Sequence, residues 1–308
     1  MAQLIKLRDY ISRYETDIFH YPSQFVRLKQ ENWKKLKLEW QEKLEQSEEN
    51  DQTEPERNRW NFFHKTDANE PDEKNEHTFE AIPQTEEELK YFYLNKLFQF
   101  QLKWASTTIS NMSFIDKSYD NNVQLRYFLQ RIPDNYLVLY EPIFSLKNHL
   151  MDGDIILISP LSIEVITLFE QDEKYKIIAD EERVWYIEER NVQTKVLSPI
   201  PSLKRTEKVI QSILDKHELD FPIYRTILAH HNVIEMKKEP YRTRYVDKIN
   251  HEDWLKEKRK LQSPIKFDQL KIANAILQHC ETTSFRRPEW HRENDKNEDN
   301  NRQNFNEF

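Results

Sequence analysis

Carboxylates flank two apolar segments in the stretch DGDIILISPLSIEVITLFE, which covers residues 152–170. Asp152 and Asp154 precede the first segment, Glu164 lies within the second, and Glu170 follows it. Carboxylates brought together at strand ends are ligands for Mg²⁺, and a bound metal ion can activate water for attack on a phosphodiester. The stretch therefore indicates either a metal-binding hairpin or the same hairpin without metal chemistry.

The composition excludes several common enzyme classes. Gly153 is the only glycine among 308 residues, whereas Walker-A loops and dinucleotide-binding fingerprints each need several glycines where the backbone approaches phosphate. Cys280 is the only cysteine, which excludes an internal disulfide framework and a cysteine-rich zinc site.

Charge and hydropathy bear on the partner and the compartment. Residues 46–84 and 291–308 carry all of the negative net charge, −7 and −2 against −8 for the whole chain, so the remainder is nearly neutral and neither favours nor excludes a nucleic acid. No apolar run is long enough to span a membrane, and the N-terminal MAQLIKLRDY carries charges where a signal peptide needs apolar residues. We expect a cytoplasmic protein with no membrane partner.

Periodicity and composition divide the chain into six segments. Apolar residues at helical spacing predict a helix over 3–15, and Thr85 with Glu88 forms a capping box that predicts the start of another helix. The segments are N-terminal amphipathic helices at 1–45, an acidic disordered linker at 46–84, a bridging helix at 85–114, an α/β core at 115–249, C-terminal helices at 250–290 and a disordered tail at 291–308.

The core segment alternates between helical and strand patterns. From Asn121 onward the patterns predict a helix, three strands, a helix and a strand. The three strands are YLVLYEPIFSL and the two of the hairpin at 153–170; further short strands are predicted near YKIIA, RVWYIEE and TRYVDK. That order is typical of a mixed sheet flanked by helices, so the fold class is α/β, of the mixed α+β kind. Asn250 and the pair Ser263-Pro264 predict the starts of the two C-terminal helices.

The core resembles the nuclease-related domain (NERD) family, a branch of the restriction-endonuclease-like superfamily with a PD-(D/E)XK core. The resemblance covers about residues 115–235 and rests on the order of elements and on the hairpin DIILISPLSIEVITLF followed by Ser-Pro and a helix. It implies a restriction-endonuclease-like mixed sheet flanked by helices, with an N-terminal helical extension. In the family, an Asp that opens the second strand and a Glu-x-Lys near the end of the third bind a divalent metal and stabilise charge on the phosphate.

The family's catalytic positions are only partly kept. Asp154 matches the strand-opening Asp, but Thr167 stands at the Glu position and Phe169 at the Lys position. A neutral hydroxyl is a weak ligand and a phenyl ring supplies no positive charge. Asn121 and Asn122 stand where the family has a Glu in its first helix. The resemblance therefore implies a subgroup with a degenerate catalytic motif, which needs no metal or other cofactor.

Other acids on the hairpin leave an alternative open. Because strand side chains alternate, we expect Glu164 and Glu170 on the face opposite to Thr167, away from Asp154. A one-residue bulge would reverse that assignment, and Asp152 can add a second carboxylate beside Asp154. The chain would then be an active or weakly active nuclease dependent on Mg²⁺ or Mn²⁺. Without a metal, Asp154 only shapes the turn into the strand.

Two further groups have both a functional and a structural interpretation. His230 and His231 are adjacent near a strand end, and neighbours on a strand face opposite sides, so we expect a turn-edge location rather than a shared metal. Lys204, Arg205 and Lys208 on the second core helix can follow a nucleic-acid backbone, although such clusters commonly form a solvated face.

Three aromatic residues, Trp60, Phe62 and Phe63, stand out in the acidic linker. They can anchor a protein partner or dock on the chain's own surface. We therefore expect a protein that binds DNA, RNA or another protein and does not cleave phosphodiesters. The alternatives are the metal-dependent nuclease and a scaffold whose N-terminal helices bind a protein partner.

Overall fold

The computed structural model describes residues 1–49, 83–147, 149–180, 183–236 and 240–287. The chain divides into two compact units, one made of residues 1–22 with those from 98 onward, the other of Ser23–Leu97. Most of the predicted linker, residues 50–82, lies outside the described residues, and so do its three aromatic residues and the predicted tail at 291–308.

The elements confirm a mixed α/β fold. The described helices are α1 (Arg13–Thr16), α2 (Tyr21–Glu49), α3 (Glu86–Trp104), α4 (Val123–Arg131), α5 (Ile200–Lys216), α6 (His251–Lys260) and α7 (Phe267–Leu277), with a 3₁₀ turn at Lys117–Asn121. The described strands are β1 (Gln3–Leu7), β2 (Asn111–Met112), β3 (Leu137–Tyr140), β4 (Ile143–Leu146), β5 (His149–Asp152), β6 (Ile155–Ile158), β7 (Ile163–Leu168), β8 (Lys176–Ala179), β9 (Val184–Glu189), β10 (Val192–Leu197), β11 (Ile223–Ala229), β12 (Ile234–Met236), β13 (Thr243–Asp247) and β14 (Phe285–Arg286). Over the residues described, no helix has the length and apolar character needed to cross a membrane.

Six strands form the main sheet in the order β1-β3-β6-β7-β11-β13. β3, β6 and β7 make an antiparallel meander, whereas β1 pairs in parallel with β3, and β11 pairs in parallel with both β7 and β13. Every residue of β3 and β6 is buried, as expected for strands that are covered on both faces. α5 packs on β7 and β11, while α4 contacts β3 and α6 contacts β13.

The helix predicted over residues 3–15 is wrong. Gln3–Leu7 form the strand β1, and the only helix in this range is α1, a single turn that begins at Arg13. All of β1 is buried, including Lys6, whose ammonium donates to Glu15 at 2.5 Å and to Thr282 at 2.8 Å. The apolar residues do fit a helical stripe, but pairing with the distant β3 satisfies the backbone and overrides the local pattern.

Two other predicted boundaries also need correction. The predicted strand at YLVLYEPIFSL is two strands, because Glu141 adopts φ 48° and separates β3 from β4. The last helix begins at Phe267 rather than at Pro264. Its first turn is anchored by Gln269, whose amide donates to the carbonyls of Asn135 and Ile158 at 2.8 and 2.9 Å.

Over the part that the structure describes, the smaller unit is formed mainly by α2 and α3. The predicted cap at Thr85 is confirmed, since its hydroxyl accepts from the Glu88 N–H at 3.2 Å. Trp33 packs against Tyr93 with ring centroids 5.3 Å apart, and the Trp40 indole donates to the carbonyl of Pro83 at 2.6 Å. Aromatic contacts therefore hold this helix pair together.

A second sheet follows the hairpin in the order β10-β9-β8-β12. The sequence patterns predicted β8 and β9 but missed β10 and β12. Most of β10 is exposed, so it lacks the alternating apolar pattern that marks a strand. Its pairing with β9 is fully antiparallel, from Val192 opposite Glu189 to Leu197 opposite Val184.

Candidate functional site

A cleft of about 390 Å³ opens where β6 begins and β7 ends. Because the two strands are antiparallel, these ends meet at one edge of the sheet. The cleft is lined by Arg8, Gln124, Glu141, Asp152, Gly153, Asp154, Ile155, Ile166, Thr167, Leu168 and Glu170. Carboxylates outnumber cations in this lining, so the cleft is acidic.

Asp154 accepts hydrogen bonds from three hydroxyl groups. Thr167 Oγ1 donates to Oδ1 at 2.5 Å, and Thr206 Oγ1 donates to Oδ2 at 2.7 Å. Ser202 Oγ reaches both oxygens, at 3.2 and 3.0 Å. Over the described chain, no lysine or arginine donates to this carboxylate. The hydroxyls stabilise the carboxylate and occupy the oxygens that a metal ion would use.

The three hydroxyl donors come together through the helix spacing of α5 and the strand pairing of β6 and β7. Ser202 and Thr206 are four residues apart on α5, so they share a helix face. Thr206 is fully buried, and its hydroxyl also accepts from the Asp154 N–H at 3.2 Å. Continuing the β6–β7 register places Thr167 opposite Asp154. Asp154 is therefore the point where β6, β7 and α5 meet.

Phe169, at the position where the resemblance puts a lysine, makes an apolar contact. Its ring meets the ring of Trp185 edge-on, with centroids 5.2 Å apart. Trp185 is fully buried in β9. The side chain thus links the end of β7 to the second sheet.

Glu164 lies on the opposite sheet face from Asp154, as alternation along β7 predicts. Its buried carboxylate accepts from Thr226 Oγ1 at 2.5 Å and from Trp254 Nε1 at 3.0 Å, and it pairs with Lys258 of α6. Burial alone would raise the pKa of Glu164, but the Lys258 ammonium and these hydrogen bonds hold it below its usual range. Glu164 therefore anchors α6 to the sheet.

Glu170 does not point away from the cleft, so that expectation is wrong. It lies beyond the last residue of β7, where strict alternation ends, and it lines the same cleft as Asp154. Its carboxylate accepts from the N–H groups of His230 and His231 at 2.9 and 3.4 Å, and it contacts the His230 ring at Nδ1. The histidines do lie in a turn after β11, as predicted, but both approach one carboxylate.

Arg8 and Glu141 bound another side of the cleft. Their φ angles, 44° and 48°, lie in the left-handed region that residues other than glycine rarely adopt. The Arg8 guanidinium is 3.7 Å from the Glu141 carboxylate and 3.5 Å from that of Asp152. Burial raises the pKa of Glu141, and Asp152 and Asp154 add to the rise although Arg8 opposes it. Strain of this kind is often retained where a site needs a particular geometry.

The predicted basic residues lie on α5. Arg205 and Lys208 are exposed and Lys204 is half-buried. Glu207 lies between them in sequence but pairs with Arg225 at 3.0 Å, which leaves the outer face of the helix more basic than the sequence suggests. We call Lys204, Arg205 and Lys208 the α5 basic group.

Thr206 and Gln124 were not predicted as contributors to the site, and Ser202 was expected only as the counterpart of a family Gln before the second core helix. Ser202 and Thr206 show an i, i+4 spacing, but that spacing alone does not reveal which way the helix face is turned. Gln124 of α4 lines the cleft next to the two asparagines that were compared with the family's helical Glu. Each of them becomes recognisable only when α4 and α5 are packed on the sheet.

Only a short stretch of the chain is similar to a known protein in the comparisons made. No family model matches the chain, and no solved structure matches it significantly. A protein described as RNA 2′,3′-cyclic phosphodiesterase, from Geobacillus stearothermophilus, is 61% identical over 41 residues. That match covers 13% of this chain and 13% of the relative, so it does not assign a family.

Proposed function

We propose that the chain is a nuclease-related protein that has lost cleavage chemistry and acts in binding, either of nucleic acid or of another protein. The observation that carries the proposal is the set of hydroxyl donors around Asp154. A Mg²⁺ site needs carboxylate oxygens that are free to bind the ion, and phosphodiester cleavage needs positive charge near the phosphate. Thr167 and Phe169 supply neither, and Asp154 instead joins β6 to α5.

The order of elements supports a restriction-endonuclease-like core for this proposal. α4, β3, β6, β7, α5 and β11 follow in the order helix, three strands, helix, strand, and the three strands form the meander of the main sheet. β4 and β5 form a side hairpin between β3 and β6, and β8 to β10 belong to the second sheet. In such a core the Asp that opens the second strand stands at the catalytic centre, which corresponds to Asp154 in the cleft.

Within this proposal, the α5 basic group is the favoured contact for nucleic acid. The cleft itself carries several carboxylates, which repel a phosphate backbone. Cationic side chains outside the cleft can neutralise phosphates and release counterions. A protein partner would use the N-terminal helices or the aromatic residues at 60–63.

A cleavage assay tests the absence of nuclease chemistry. The full chain is incubated with labelled single- and double-stranded DNA and RNA, and with an RNA ending in a 2′,3′-cyclic phosphate, in Mg²⁺ or Mn²⁺. The last substrate is included because of the short match to the phosphodiesterase, which itself covers too little of the chain to carry a proposal. We expect no product above the metal-only background. Cleavage that Asp154→Ala abolishes would overturn the proposal.

A binding assay tests the nucleic-acid branch. Anisotropy of a labelled oligonucleotide is measured against salt for the wild type and for Arg205→Glu/Lys208→Glu. The control is Lys34→Glu/Lys117→Glu, which makes the same charge change at exposed positions elsewhere. We expect the first variant alone to lose affinity and to show a smaller salt slope. No binding at low salt, or equal loss in both variants, would contradict the assignment of α5.

The protein branch is tested separately with Trp60→Ala/Phe62→Ala/Phe63→Ala. Removal of residues 1–84 is unsuitable, because it deletes β1 from the main sheet. If the linker aromatics anchor a partner, the triple substitution abolishes co-purification of that partner, while the melting temperature stays unchanged. Co-purification that survives the substitution would exclude them.

A second candidate function is a metal-dependent nuclease with a relocated carboxylate. The observation that favours it is that Glu141, Asp152 and Glu170 line the same cleft as Asp154. Glu164 is unsuitable as the replacement, since it lies on the other face and pairs with Lys258. This candidate requires Mg²⁺- or Mn²⁺-dependent product that is lost in both Asp154→Ala and Asp152→Ala.

A further inference from the structure

Glu170, His230 and His231 form a cluster at the edge of the acidic cleft. One possible ligand atom from each side chain lies within 4.8 Å of the other two. Imidazole nitrogen and carboxylate oxygen are both ordinary ligands of divalent transition metals. Two histidines with one carboxylate also make up a recurrent three-ligand set that leaves coordination positions open.

The side chain of Asn232 holds the backbone around this cluster in place before any ligand binds. Asn232 is 1% exposed, and its side-chain carbonyl accepts from the Gln171 N–H at 2.9 Å. Its amide donates to the carbonyls of Asp172 and Tyr175, both at 3.0 Å. The loop after β7 is thereby tied to the turn after β11, which fixes Glu170 against the two histidines. Support of this kind is what a metal site needs around its ligands.

The side chains are also oriented by their neighbours. Tyr127 stacks on the His230 ring, with centroids 5.4 Å apart and an interplanar angle of 14°. The Tyr127 hydroxyl is hydrogen-bonded to His251 Nε2, so the stack is held from α6 as well. The Glu170 carboxylate is held by hydrogen bonds from the His230 and His231 N–H groups, at 2.9 and 3.4 Å.

We propose that Glu170, His230 and His231 bind one divalent transition-metal ion, with Zn²⁺ as the best match to the donor set. Ligand atoms around tetrahedral zinc are about 3.4 Å apart, given bonds of about 2.0–2.2 Å. The ligand atoms of the cluster all lie within 4.8 Å of one another, which is near that separation. The His231 side chain is 52% exposed, which gives the ion access from solvent.

This site is separate from the Asp154 position and does not depend on the function proposed above. Asp154 is enclosed by hydroxyl donors, whereas the cluster offers two nitrogen ligands, which favour Zn²⁺ over Mg²⁺. A bound ion would add positive charge beside the carboxylates of the cleft. It would also leave at least one coordination position for water or for an anionic group of a ligand.

Calorimetric titration with Zn²⁺ tests the site in the full chain, expressed without a polyhistidine tag and stripped with EDTA. We expect one ion per chain, unaffected by excess Mg²⁺, and a visible absorption band when Co²⁺ is used instead. Glu170→Gln and His231→Ala should each weaken binding at least about tenfold, the loss that even supporting residues cause. His149→Ala, an exposed histidine on β5, and Asp152→Ala, an exposed acid of the same cleft, should bind as the wild type does.

Three results would overturn the proposal: no stoichiometric Zn²⁺ binding, unchanged affinity in both ligand variants, or loss of binding in Asp152→Ala. Melting in EDTA shows whether each variant is folded. Glu170→Gln keeps one carbonyl oxygen, which can still accept the 2.9 Å hydrogen bond from the His230 N–H, and it loses only the longer one from His231, so its fold should survive. If it does not, His231→Ala and His231→Gln at the exposed position decide the question.

Discussion

The most informative perturbation is Asp154→Ala, because a structural carboxylate and a metal ligand respond to it in opposite ways. As a structural residue, Asp154 accepts from Thr167, Ser202 and Thr206 and so joins three elements. As a metal ligand without its ion, it would instead be repelled by neighbouring carboxylates such as Glu141. If Asp154 is structural, its removal destabilises the fold. If it is a metal ligand, its removal leaves the stability unchanged or raises it.

The size of the effect follows from the number and burial of the donors. A hydrogen bond to a charged group contributes about 1.5–3 kcal/mol. Thr206 is fully buried and loses its acceptor outright, whereas Thr167 and Ser202 are half-buried and can turn to water. We therefore expect the free energy of unfolding to fall by about 2–4 kcal/mol, the contribution of one full hydrogen bond and part of two others. For a unit of this size the melting temperature should fall by roughly 5–10 °C.

Scanning calorimetry is the assay of choice, because the two units can unfold in separate transitions. Asp152→Ala is the matched control, since its side chain is 76% exposed in the same cleft and should change stability by less than about 0.5 kcal/mol. An Asp154→Ala melting temperature within a degree or so of the wild type would refute the structural assignment. So would a Mg²⁺-dependent rise in wild-type stability that the variant lacks.

Three further predictions concern other parts of the main unit. Lys258→Met should lower the free energy of unfolding by about 3–5 kcal/mol, because it leaves Glu164 buried without its cation. Burial raises the pKa of Glu164, but Lys258 and the hydrogen bonds to the carboxylate together hold it below its usual range, so the wild-type pair stabilises the fold above about pH 4.3 and this stabilisation is lost as pH falls through the folded-state pKa. Acid unfolding unchanged in the variant would contradict this. Gly153→Ala should lower the free energy of unfolding by about 1–3 kcal/mol, since an added Cβ would lie 2.7 Å from the Phe144 ring, and the urea midpoint should fall accordingly; an unchanged midpoint would argue against that contact. Burial raises the pKa of Cys280 to about 12, so iodoacetamide should modify it at pH 8 only in denaturant, and fast modification of the native chain would show that the thiol is accessible.

Elements with strong local signals could be predicted from the sequence. The β6–β7 hairpin has two apolar runs around a tight turn, and α3 has its capping residue Thr85. β1 could not be predicted, because Lys6 is buried by partners far away in the chain, among them Thr282. From the sequence alone a lysine is expected at the surface. Its burial can be predicted only when the distant groups that accept its hydrogen bonds are known.

In the candidate site, the position of the strand residue Thr167 could be predicted from the sequence, but the contacts of the helix residues could not. Counting along the hairpin was enough to set Thr167 opposite Asp154, because the strand period is two. Ser202 and Thr206 could not be assigned to Asp154 in the same way. The rotation of a helix about its own axis is decided by how its apolar face packs on the sheet, and no local pattern near Asp154 encodes it.

The approach of Glu170 to both histidines could not be predicted from strand periodicity either. Alternation separates neighbouring side chains only while the backbone is extended, and β11 ends at Ala229, one residue before His230. In the turn that follows, the N–H groups of His230 and His231 both face Glu170, itself beyond the end of β7. Since strands stop at the sheet edge where the cleft opens, the residues least constrained by strand periodicity are the ones that meet there. A site at such an edge must therefore be sought among residues just past the strand ends.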